Sequence, residues 1–63
     1  MNNRKIRNWV ATIKRVMNDF YVPIVVQNEI IDKVKAERKQ EDTAIVLYNR
    51  AWRMFYGYIN ANL

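Results

Sequence analysis

Pro23 and Gly57 are the only proline and the only glycine in this chain. Tight turns draw heavily on those two residue types, so few such turns are available here. Few turns combined with strong 3.6-residue periodicity argue for an all-helical fold. The expected architecture is an all-α three-helix bundle, with helices over about 3–20, 23–38 and 43–59, forming one domain over residues 1–63.

Residues 2–21 read NNRKIRNWVATIKRVMNDFY. Ile6, Trp9, Val10, Ile13, Val16, Met17 and Phe20 recur at the i, i+3, i+4, i+7 spacing of an amphipathic helix. Asn2 or Asn3 is a fitting N-cap, because its side chain can accept from an orphan backbone N–H. Pro23 pushes Val22 toward an extended backbone, so the first helix should stop before it. The β-branched run VPIVV leaves two options for 22–27, an extended segment or the first turns of helix two. A lone strand would have no partner in this chain, which favours the helix. ERKQED, at 37–42, has no apolar residue and reads as the connection to helix three, which Asp42 or Thr43 would cap.

At 100° per residue, the apolar side chains of helix one fill an arc of about 120°. Arg4, Arg7, Lys14 and Arg15 lie opposite, with no acid among them. A solvated face usually mixes both signs. This single-sign stripe is therefore the expected face for an anionic partner, and all four side chains are expected to be exposed and unpaired. The formal charge of +5 points the same way.

Helix three carries an apolar arc of about 200°, where packing on one side of a bundle needs little more than 100°. Trp52 is the expected core residue of that helix. Tyr48, Trp52, Phe55, Tyr56, Tyr58 and Ile59 make up the expected dimer or partner interface. Trp and Tyr suit interfaces because each joins a large apolar body to a polar tip. Gly57 admits two readings: close approach of another backbone, or the end of the helix.

The chain has no Cys and no His. Disulfides and thiolate metal sites are therefore excluded, and oligomerisation is the remaining way to strengthen so small a core. Ser is absent as well, and the six acids all lie between Asp19 and Asp42 among Lys and Arg. No catalytic, cofactor-binding or metal site is expected, and the chain is not expected to be an enzyme. No run is long enough to span a bilayer, FYVPIVV being the longest uncharged apolar one, so a soluble, unprocessed, cytoplasmic protein is expected and membrane binding is not.

A helix-turn-helix fits poorly, because the candidate recognition helix 24–38 carries Glu29, Asp32 and Glu37. The expected function is a small regulatory interaction module, binding a protein partner as a helical homodimer through helix three. The alternative is a DNA-binding protein that uses the basic face of helix one with little sequence specificity. In format the chain resembles the small accessory proteins of lambdoid phage early regions: very short, basic, cysteine-free, helical and without catalytic residues. Those proteins act by binding. No run of residues carries the resemblance, so no position inherits a role from it.

Overall fold

The computed structural model describes residues 7–62. They form three helices, α1 (Trp9–Asp19), α2 (Ile24–Ala36) and α3 (Ala44–Ala61), each packed on the other two in a three-helix bundle. No strand occurs among the described residues, and none of their helices is long and apolar enough to cross a membrane.

Helix α1 starts later than the expected residue 3. Arg7 and Asn8 lie outside the helix, and Asn8 is its cap, accepting from the Ala11 N–H at 3.3 Å. The Asn8 carbonyl also accepts from the Thr12 hydroxyl and the Thr12 N–H. The caps proposed at Asn2 and Asn3 fall outside the described residues. Trp9, Ile13 and Met17 are the buried stripe of α1.

The other end of α1 closes without glycine. Tyr21 has φ 58°, the left-handed region. Its N–H donates to the Asn18 carbonyl and the Val22 N–H donates to the Met17 carbonyl, both at 3.0 Å. That pair of bonds is a Schellman motif, with Tyr21 in the place that Gly usually holds. A β-carbon there costs about 1–2 kcal/mol. Val22, the next residue, is buried together with Met17, the apolar contact that accompanies this turn.

Pro23 then caps α2, with φ −57° and ψ 145°. This settles 22–27 in favour of a helix that begins at Ile24. Ile30, Ile31 and Val34 are buried, as is the polar Gln27. The Gln27 amide Nε2 donates to the Val22 carbonyl at 3.0 Å and to Asn18 Oδ1 at 2.7 Å. One buried side chain thus ties α2 to the corner and to the end of α1.

The connection to α3 is held by Asp42. Its carboxylate accepts from the Lys39 N–H at 2.8 Å and takes the Arg50 guanidinium in a two-pronged pair, at 2.5 and 3.3 Å. The Lys39 N–H first, and the Arg50 guanidinium second, hold the Asp42 carboxyl below its ordinary value. Thr43 is the cap of α3, its hydroxyl accepting from the Val46 N–H.

The buried line of α3 is Leu47, Ala51 and Phe55, at successive i+4 steps. Trp52 is half-buried and is not the centre of the core. Ala44, Tyr48, Trp52, Met54, Tyr58 and Ile59 flank that line and pack partly on the core. The wide apolar arc thus reflects two half-buried flanks with a narrow central stripe. Helix α3 also runs straight through Gly57, and a β-carbon there would meet nothing within 4 Å. Neither reading of that glycine holds within the chain. Packing of Tyr58 and Ile59 carries the helix past it, although Gly costs about 1 kcal/mol against Ala inside a helix.

Two outcomes follow from these contacts. Gln27→Leu, which leaves the Val22 carbonyl without its amide donor, is expected to lower the unfolding free energy by about 1–3 kcal/mol in urea titrations. For Asp42, a depressed carboxyl contributes stability above the unfolded-state value near 3.9, and that contribution disappears as pH falls through the lower folded-state value. Asp42→Asn should therefore destabilise the protein at pH 7, and the gap from the unaltered chain should close in acid. A gap independent of pH would show that the carboxylate charge is not what holds the loop.

Candidate protein-interaction surface

Three aromatic residues one helical turn apart, Tyr48, Trp52 and Tyr56, fall on one flank of α3. Their rings meet in sequence, Tyr48 edge-on to Trp52 with centroids 6.3 Å apart and Trp52 tilted against Tyr56 at 5.2 Å. Phe55 lies beneath them, 5.2 Å from Trp52 and 6.0 Å from Tyr56. Phe20, at the end of α1, meets Phe55 edge-on at 5.2 Å. The rings therefore form a connected series from the middle of α3 to the α1–α2 corner. Edge-on and offset contacts of this kind are favourable beyond the area they bury.

Exposure differs sharply among these rings and the neighbouring corner residues. Tyr48 and Trp52 are half-buried, Tyr56 is 57% exposed, Phe20 56% and Tyr21 92%. Ile24 and Val25, in the first turn of α2, are 62% and 67% exposed. The six residues expected at the interface thus separate. Tyr56 is open, Tyr48, Trp52, Tyr58 and Ile59 are half-buried, and Phe55 is buried as the end of the core line. Tyr58 stands on the other flank of α3 and joins Met54 in an open groove of about 330 Å³ against Val26, Glu29, Ile30 and Lys33 of α2.

The corner residues Phe20, Tyr21, Ile24 and Val25 were not among the expected site residues. The run FYVPIVV carries the signal that could have found them. Seven successive apolar residues cannot all turn inward on a helix–turn–helix path, because a helix buries one stripe. Val22 is buried and Val26 half-buried, so the others face out.

Cations are absent from the stretch that forms this corner, which Asp19 adjoins. No Lys or Arg occurs between Arg15 and Lys33. Of the expected basic stripe, Arg7, Lys14 and Arg15 are exposed and form no ion pair among the described residues, where the pair present is Arg50–Asp42. Only Lys14 and Arg15 lie on α1 itself, Arg7 preceding it, and Arg4 falls outside the described residues. No group of three His, Cys, Asp or Glu side chains placed to hold a metal ion occurs among the described residues. Comparison with protein-family models, with curated proteins and with solved structures finds no match to this chain.

The free cations of α1 are expected to contribute little to folding. Replacing Arg7, Lys14 and Arg15 together with Gln should leave the unfolding midpoint within about 0.5 kcal/mol of the unaltered protein at 0.15 M salt. A larger loss would mean that their side chains pack or pair in a way that surface exposure does not show.

Proposed function

We propose that this chain is a non-enzymatic regulatory interaction module, a cytoplasmic helical homodimer that binds a second protein. The observation that supports this most strongly is the amount of apolar surface left open. Phe20, Tyr21, Ile24, Val25 and Tyr56 are each more than half exposed. A buried aromatic covers about 150–250 Å², so at these exposures the three rings alone leave about 300–500 Å² open. That is the size of the largest apolar patch on a typical monomer, and such a patch is often functional. The rings of the flank Tyr48–Trp52–Tyr56 already pack on one another, which reduces the side-chain freedom left to lose on contact. The absence of Cys, His and Ser supports the non-enzymatic part of the reading.

The bare Arg7, Lys14 and Arg15 side chains favour a second reading, in which α1 binds the phosphates of nucleic acid. Two measurements test the pair. Sedimentation equilibrium at micromolar concentration is expected to give about twice the chain mass of 7.6 kDa. A single-chain mass with the helices intact would overturn the homodimer. Titration of duplex DNA near 50 mM salt is expected to show no binding. Binding that weakens steeply as salt rises would replace the first reading with the second.

A further inference from the structure

The exposed corner and the neighbouring groove complement each other, and both belong to the same chain. Tyr21 is the knob. It is 92% exposed, and its left-handed backbone projects the ring outward where Gly would present nothing. A bulky residue in that conformation is strained, and such strain collects at working sites. The groove, of about 330 Å³, is open and lies one turn along α2, between Val26 and Ile30 on one side and Met54 and Tyr58 on the other. Its rim carries Glu29 and Lys33, one charge of each sign. From that rim a carboxylate can accept from an incoming phenol, and an ammonium can lie against its ring.

We infer that a second copy of this chain occupies this surface, the Tyr21 ring of each protomer seated in the α2–α3 groove of the other. This rests on the homodimer reading above and gives that dimer its seam.

Three features favour a second copy as the occupant. Knob and groove are close in sequence, Tyr21 lying three residues before α2 and Val26 in its first turn, so a two-fold axis near Val25 would bring each knob toward the other groove and close the pair. A knob and groove on distant faces would instead propagate chains. The contact brings no run of cations together, because 16–32 contain no Lys or Arg in a protein of net charge +5; the charges near it are the acids Asp19, Glu29 and Asp32, with Lys33 on the groove rim. The area is of the right order. At their exposures the rings of Phe20 and Tyr21 offer about 220–370 Å², and Ile24, Val25 and the groove walls extend this toward the roughly 600 Å² per partner at the low end of specific interfaces. This arrangement leaves Tyr48, Trp52 and Tyr56 on each protomer free for the protein partner.

The test uses Tyr21→Gly, because Gly suits the backbone at that position and the protomer keeps its fold. It is expected to weaken dimerisation by about 30-fold or more, the loss typical of a central interface ring. At dilutions where both proteins are monomers, it is expected to melt a few degrees higher than the unaltered chain. A ring with a merely structural role would not give those opposite signs. Ile24→Lys with Val25→Lys, both exposed, should also give a monomer through repulsion across the two-fold axis. A photoreactive phenylalanine at position 21 should crosslink to the Met54 region of the second copy. If the Tyr21→Gly protein remains a dimer as tight as the original, the seam lies elsewhere and this inference fails while the homodimer stands. If the unaltered chain is itself a monomer, the homodimer reading fails with it.

Discussion

The reversal from α1 into α2 is the constraint on which the remaining structure depends, and one buried amide holds it. Gln27 reaches back to the Val22 carbonyl and to Asn18, so the first turn of α2 and the last turn of α1 are fixed as one unit. Buried polar groups hold structure well when every atom is satisfied, and no unpartnered buried side-chain atom occurs among the described residues. With the reversal set, Met17, Val22 and Ile30 turn to the same interior, and Phe20 arrives against Phe55. The same reversal forces Tyr21 outward. Placement of the core and exposure of the corner are two results of one turn.

The core this turn organises is thin, and its geometry follows from which residues are small. Ala51 is wholly buried between Leu47 and Phe55. Interaxial distance depends on the side chains at the contact, and an alanine there lets the other helices approach α3 closely. Close approach lets the flanking Tyr48, Trp52, Met54 and Tyr58 lie along the bundle and cover its seams with their apolar bodies. A domain this small buries only about 60% of the surface its unfolded chain exposes. Much aromatic surface is thus used for half-burial, and what α1 and α2 cannot cover collects at the corner.

The helix count, the buried stripe of α1 and the position of the α2–α3 connection were legible in the sequence because each rests on periodicity or on its absence. Boundaries were harder. Asn2, Asn3 and Asn8 are equally good caps by residue type, and only the tertiary position of Trp9 selects Asn8. The left-handed Tyr21 gives no sign in the sequence, since helix ends are read from Gly and here the turn is closed by backbone bonds and by burial of Val22. Gln27 reads as one polar letter in an apolar run, and its burial depends on which carbonyls lie within its reach. Trp52 lies near the Tyr48–Phe55–Ile59 line of the helical wheel and so reads as core, yet the buried line runs beside it and leaves it half-buried. The line Leu47–Ala51–Phe55 has an alanine at its centre, which no hydrophobicity ranking would choose.

Lys14 and Arg15 stand apart from the apolar corner, and that separation decides which kinds of binding can coexist. Lys14 lies seven residues before Tyr21, about 10 Å along a helix axis. The Debye length near physiological salt is about 8 Å. Cations on two copies joined at the corner would therefore be separated by more than a screening length, and their repulsion would weigh little against ring burial. The cations themselves would stay in water, with Arg50 already neutralised by Asp42. An anionic surface approaching α1 would meet Lys14 and Arg15 unobstructed by a corner contact, and its attraction would be strongly screened by salt. Apolar contact at the corner, ring contact along α3 and cation contact along α1 thus use separate surfaces. They respond differently to ionic strength, because one chain reversal places the uncharged run at the end of the bundle, apart from Lys14 and Arg15 on its first helix.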